Sequence, residues 1–250
     1  MNEHHIKNIA FYTFFKPTYD LVQCRMDIIG YMQALGIKGT ILLAVEGINC
    51  SLCGTISAMD DFLVFLFKKT GIQPPDIKIS FSKTLSFKRA LVKIKPFIVA
   101  KPGKTPIDPS QEHAPYVSPK EFHEWITNNK DMIILDTRND YEYTLGHFNN
   151  ALHFGTKHFS NFEEELNKFP QDLKSKPIVT FCTGGIRCEK AALLMLKKGF
   201  SNVYQLDGGV LNYFEKMGQG YYEGECFVFD ERIAVGPTSQ VKETKGLKYG

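Results

Sequence analysis

Hydrophobic and polar positions in the first hundred residues switch between two periods. Ile9-Ala10-Phe11-Tyr12-Thr13-Phe14-Phe15 is β-branched and aromatic and reads as a strand. Pro17 stops it, and Leu21, Val22, Cys24, Arg25, Ile28, Ile29 and Met32 follow at helical spacing until Gly36. Residues 39–45 and 47–53 read as two further strands. A helix is predicted over 57–70, with Asp60 and Asp61 in its first turn, Lys68 and Lys69 in its last, and Gly71 as its C-cap. That charge order suits the helix dipole. Residues 77–81 and 90–95 alternate as strands. The order βαββαβ plus one strand predicts a small ferredoxin-like α+β sandwich over residues 1–97.

The pattern then breaks. Pro96, Pro102, Pro106, Pro109, Pro115 and Pro119 fall within 24 residues, so residues 98–117 are expected to be a linker rather than regular structure. Beyond it the apolar positions become continuous. Residues 132–135, 177–181 and 203–206 are unbroken apolar or near-apolar runs, the mark of buried parallel strands. Between and before them lie helical stretches at 120–128, capped by Ser118 with Pro119 at its first position, at 161–169 and at 188–198. Strands alternating with helices predict an α/β domain with a parallel sheet over 118–220, and residues 221–250 are left as a C-terminal tail.

Composition narrows the class. Of 250 residues, 43% are apolar and 23% charged, the profile of a folded globular chain rather than a disordered or collagen-like one. The net charge of +3 selects no partner class. No apolar run approaches the ~20 residues of a membrane span, so no membrane partner is expected. The polar start, Met1-Asn2-Glu3-His4-His5, carries no signal-peptide pattern. The six cysteines (Cys24, Cys50, Cys53, Cys182, Cys188 and Cys226) are therefore read as free thiols in a reducing cytoplasm rather than as three disulfides.

Candidate chemistry concentrates in Phe181-Cys182-Thr183-Gly184-Gly185-Ile186-Arg187-Cys188. A buried strand runs into Cys182, two glycines allow a tight loop, and a helix begins near Cys188. A thiol at the C-terminal end of a strand, above a helix N-terminus, sits where open α/β sheets place their sites. Backbone N–H groups of Thr183, Gly184, Gly185 and Ile186 are expected to form an anion cradle. With Arg187 they would lower the Cys182 pKa and make it a nucleophile. Cys188 is either a resolving thiol or helix packing. Asp136, Arg138 and Glu142 follow a buried strand. A structural ion pair bracing the loop is the favoured reading, with Arg138 at the site mouth as the alternative. Cys50-x-x-Cys53 lacks a second ligand pair, so two packed thiols are expected there and no metal site. No histidine stands in a His-x-Asp or His-x-Glu spacing, and His147 is read as packing. Lys83, Lys88, Arg89, Lys93, Lys95, Lys101 and Lys104 form a basic stretch without an acidic residue, interleaved with Phe81, Phe87 and Phe97. It reads as an RNA-facing surface or as ordinary solvation.

The six-residue loop from Cys182 to Arg187 resembles that of a rhodanese domain. So do Asp136-Thr137-Arg138-Asn139-Asp140-Tyr141-Glu142, Gly146-His147-Phe148 with Ala151, and Gly208-Gly209-Val210. Phosphatase relatives of rhodaneses usually carry a loop one residue longer. Together with Gly224-Glu225-Cys226-Phe227-Val228-Phe229-Asp230-Glu231-Arg232 and Ala44-Val45-Glu46-Gly47-Ile48-Asn49, these blocks resemble the oxygen-dependent tRNA uridine hydroxylases over nearly the whole chain. Cys50 and Cys53 stand where that family usually has small residues, and the cysteine-rich tail of many members is not matched here. The resemblance implies hydroxylation of wobble uridine to 5-hydroxyuridine, with tRNA (through its anticodon arm) as partner and molecular oxygen as co-substrate, and no other cofactor evident. The alternative it implies is a sulfurtransferase whose Cys182 carries a persulfide and whose Arg187 binds the anionic donor.

Overall fold

The computed structural model describes residues 6–230 and 232–236. The chain forms two compact units. One comprises residues 6–98 together with 229, 230, 232 and 233, and the other comprises 99–228 and 234–236.

In the first unit, β1 (Ile6–Phe14), α1 (Leu21–Ala34), β2 (Lys38–Ala44), β3 (Gly47–Thr55), α2 (Ile56–Thr70), β4 (Lys78–Ser82) and β5 (Ala90–Ile94) follow the predicted order. The sheet runs β4-β1-β3-β2-β5. All neighbours are antiparallel except β2 and β5, which pair in parallel. This is the ferredoxin-like arrangement with β5 added beside β2. Cys24, Ile28 and Met32 of α1 and Met59, Phe62 and Leu66 of α2 bury their apolar stripes against Ile9, Phe11, Ile41, Ile48, Cys50 and Leu52. Thr55 caps α2 through its hydroxyl, so the helix starts earlier than the pattern implied. Asp60 and Asp61 therefore fall outside the first turn, and Asp60 pairs with Lys7 at 2.6 Å instead. Cys50 and Cys53 lie three positions apart on β3 and so face opposite sides of the sheet. Both are fully buried.

The second unit carries β6 (Tyr116–Val117), α3 (Pro119–Thr127), β7 (Ile133–Asp136), α4 (Asp140–Leu145), β8 (Gly146–Phe148), β9 (Leu152–His153), α5 (Phe162–Leu166), β10 (Ile178–Phe181), α6 (Ile186–Lys197), β11 (Val203–Leu206), α7 (Gly209–Met217), β12 (Tyr222–Gly224), β13 (Cys226–Phe227) and β14 (Ala234–Val235). Its main sheet, β6-β11-β10-β7-β9, is parallel throughout. Central β10 is buried at all four positions, which is why its sequence is apolar apart from Thr180.

Two expectations are corrected. The proline-rich stretch 98–117 is not free chain. It belongs mostly to the second unit, where Lys104 N and Thr105 N donate to Glu163 at 2.5 and 3.0 Å and Tyr116–Val117 adds an edge strand. Proline forbids helix interiors, but side-chain acceptors still fix such a segment. Nor are residues 221–236 a separate tail. Tyr222 and Cys226 are buried, β12 pairs with β8, β13 pairs with β14, and Phe229, Asp230, Arg232 and Ile233 join the first unit. The rest of that tail, 237–250, lies outside the described residues.

Candidate active site

Strand β10 delivers Cys182 to its C-terminal end, where the thiol is 1% exposed. The next helix starts at Ile186, with Gly185 as its N-cap at φ 96°. Arg187 and Cys188 thus occupy the first turn of α6, two residues earlier than the sequence pattern implied.

The loop is held from outside and open to hydrogen bonding from inside. Val210 N donates to the Cys182 carbonyl at 3.0 Å, and Leu211 N donates to that of Thr183 at 3.1 Å. These are first-turn amides of α7, which would otherwise lack partners. With the carbonyls drawn outward, Gly185 N–H reaches Cys182 Sγ at 3.1 Å, and the N–H groups of Arg187 and Cys188 also face it. Gly209 is required at this junction. Its φ is +63°, and a Cβ there would lie 2.4 Å from the Cys182 carbonyl oxygen.

The thiolate cradle therefore uses Gly185, Arg187 and Cys188. Thr183, Gly184 and Ile186, expected in the same cradle, contribute otherwise. The Thr183 hydroxyl donates to Phe227 O at 3.2 Å. Gly184 and Ile186 are the half-exposed rim of an otherwise buried loop.

Electrostatics single out one cysteine. Burial pushes the Cys182 thiol up, but the Cys188 thiol, the Arg187 charge and the N–H groups of Arg187 and Cys188 outweigh it and bring it down to about 6. Burial, reinforced by a neighbouring Cys182 thiolate, pushes Cys188 well up. Cys188 is thus the protonated donor of the pair. Its sulfur also lies 3.7 Å from Thr137 Oγ1. Burial raises Cys24, Cys50 and Cys53 as well, and takes Cys226 to about 11.

Two buried ion pairs frame the loop. Arg187 Nη1 and Nη2 donate to Glu142 Oε2 and Oε1 at 2.6 and 2.7 Å. Burial would raise the Glu142 carboxyl, but Arg187 and the Asn139 N–H hold it below its ordinary value. Arg138 is fully buried. It grips Asp136 through Nε and Nη2, with Nη2 at 2.6 Å from Oδ2, and reaches Gly146 O at 2.7 Å and the Tyr222 hydroxyl at 3.1 Å. Arg138 is therefore not at the site mouth. Its charge is consumed in joining β7 to β8 and β12. His147 stacks on Tyr143 at 4.0 Å, and its Nδ1 lies 3.0 Å from Tyr143 O.

Sequence reasoning missed the Glu142–Arg187 pairing and the strand at 226–227, where Phe227 meets Thr183 and sets its ring against Tyr141 at 5.2 Å. The only available signal was the ordered block 224–232, to which no contact could be assigned. Lys83, Lys88, Arg89, Lys93 and Lys95 are exposed on the first unit, whereas Lys101 and Lys104 belong to the second. Among the described residues, no group of three or more His, Cys, Asp and Glu side chains is placed to hold a metal ion, and no helix is long and apolar enough to cross a membrane.

Comparison with known proteins adds to this geometry. The UPF0176 acylphosphatase-like domain matches residues 6–98, and the rhodanese-like domain matches residues 118–216. A tRNA uridine(34) hydroxylase of Bordetella petrii is 40% identical over 237 residues, 93% of each chain. One of Cupriavidus necator is 42% identical over 238 residues, 93% of this chain and 83% of its own. One of Synechocystis sp. is 40% identical over 218 residues, covering 86% and 75%.

Proposed function

The chain belongs to the tRNA uridine(34) hydroxylase family, and from that premise we propose that it converts the wobble uridine of tRNA to 5-hydroxyuridine with molecular oxygen. Cys182 is the reacting side chain. The base leaves its stack to reach the loop, as enzymes acting on bases require, and passes the rim at Gly184 and Ile186.

The Cys182 thiolate adds to C6 of uracil, and the electron pair of the C5–C6 double bond moves onto C5 and its conjugated O4. C5 then bonds to oxygen as a hydroperoxide. Two electrons and two protons from an external thiol-class reductant cleave the O–O bond, leaving a C5 hydroxyl and one water. Loss of the C5 proton expels the thiolate and restores the double bond. A low-pKa thiol serves both ends of this sequence, since it is ionised for attack and is a competent leaving group. The observation that supports the reading most directly is the Cys182 sulfur held by the Gly185 N–H at 3.1 Å, in surroundings that lower its pKa.

The sulfurtransferase alternative asks Arg187 to bind an anionic donor. Two of the five N–H donors of Arg187 are committed to Glu142, and an assay separates the two readings. Nucleoside mass spectrometry of unmodified tRNA incubated with the protein, with and without oxygen, is the test. Oxygen-dependent hydroxyuridine that disappears in Cys182→Ala is expected. Thiosulfate-to-cyanide turnover without any hydroxyuridine would select the alternative.

A further inference from the structure

A cleft of about 320 Å³ lies in the first unit, lined by Phe87, Lys88, Arg89, Leu91, Phe229 and Asp230 over Thr40. That volume is at the lower end for ligand pockets. Thr40 and Leu91 are register partners on β2 and β5. Their sequence neighbours Ile41 and Val92 are buried in the core, so the floor of the cleft is the opposite face of the sheet. One wall is Phe229 and Asp230, which return to this unit.

The lining combines rings and cations. Phe229 is 62% exposed, and Phe87 is half-buried. Lys88 and Arg89 are exposed. Among the described residues the Arg89 guanidinium makes no hydrogen bond or ion pair. Among the described residues of the lining, Asp230 is the one carboxylate, and it is matched by Arg232, whose Nε donates to it at 2.9 Å and whose Nη1 donates to Ser80 Oγ at 2.8 Å. Among the described residues, Lys88, Arg89 and Arg232 outnumber Asp230, so this lining is cationic beside an exposed aromatic face. Rings that stack on bases and cations that meet phosphates are the two elements of single-strand nucleic-acid binding. A base-paired strand hides its base faces and does not fit this use.

We propose that this cleft binds one unpaired nucleotide of the tRNA substrate, its base against Phe229 and its phosphate at Arg89 and Lys88. The inference rests on the tRNA reading above and deepens it, by assigning a binding site apart from the thiol.

The test titrates the full chain with a labelled, unmodified anticodon stem-loop RNA, alongside a fully paired RNA duplex. Phe229→Ala is expected to weaken stem-loop binding about tenfold, and Phe229→Trp to retain it. Arg89→Ala is expected to reduce the slope of log Kd against log salt by roughly 0.7. Far-ultraviolet circular dichroism and the thermal unfolding profile stay as in the wild type in every variant, which certifies folding. Unchanged stem-loop binding in Phe229→Ala, an equal loss for the duplex, or no binding by the wild type would each overturn the proposal. Hydroxyuridine formation separates the two claims. Hydroxylation indifferent to Phe229 removes the cleft and leaves the activity, whereas Phe229-dependent binding without hydroxylation removes the activity and leaves the cleft.

Discussion

Arg187 and Glu142 meet through two parallel hydrogen bonds of 2.6 and 2.7 Å, both side chains buried. The pair fixes the first turn of α6 to α4, and so holds the cationic end of the Cys182 loop in place. Glu142→Gln keeps the shape but leaves a buried guanidinium without its counter-charge. Breaking such a pair costs about 3–5 kcal/mol. A matching drop in the denaturant midpoint is expected, and an unchanged midpoint would contradict the pairing.

The same carboxylate makes stability depend on acid. Its folded pKa is depressed below the ordinary 4.5, so its contribution is complete above that value and is lost as pH falls through the folded one. Stability curves of the wild type and Glu142→Gln should therefore converge below pH 4.5. Parallel curves would assign the acid sensitivity elsewhere.

Cys182 should titrate near pH 6, against about 8.5 for a free thiol. Ultraviolet thiolate absorbance, taken as the difference between the wild type and Cys182→Ala, reads this directly. Cys188→Ala removes the thiol donor and should move the midpoint upward. A wild-type midpoint near that of a free thiol would remove the nucleophile from the proposed chemistry.

Two glycines of the site should respond differently. At Gly209 a methyl group meets the Cys182 carbonyl at 2.4 Å and the backbone is left-handed, a strain of about 1–3 kcal/mol for another residue. Gly209→Ala should displace the loop and raise the Cys182 midpoint. At Gly184 nothing lies within 4 Å of the added carbon, and Gly184→Ala should leave that midpoint where it is.

Tyr222 closes the second ion-pair cluster, donating to Gly146 O at 2.7 Å and accepting from Arg138 at 3.1 Å. Tyr222→Phe leaves one Arg138 nitrogen without this partner, at a cost of about 1–3 kcal/mol. Thermal unfolding checks this, and a wild-type melting temperature would show that the hydroxyl is dispensable.

What the sequence discloses follows from how locally each feature is encoded. Strand β10 is legible because both of its faces are buried, which leaves Thr180, itself buried and donating to Tyr204 O, as its one polar position. Cys182 is legible because a strand, two glycines and a helix are consecutive. Helix α7 is not, because it opens on Gly208-Gly209, residues that ordinarily read as a turn. Its first amides nevertheless hold the loop. The Glu142–Arg187 pair is hidden for another reason: its members lie 45 residues apart, and only the parallel pairing of β7 with β10 brings them together. Cys226 and Phe227 read as tail because a two-residue strand carries no periodic signal.

The N–H groups that hold the Cys182 sulfur belong to the main chain, and the loop carbonyls are secured by other main-chain amides, those of Val210 and Leu211. Part of what lowers the sulfur's pKa is thus written into backbone path, beside the Cys188 thiol and the Arg187 charge. Thr183 and Ile186 are correspondingly free to vary without disarming the thiol. Descendants of this loop can change what they admit at its rim while inheriting the same low-pKa thiol, so divergence in what the loop admits requires no rebuilding of the loop.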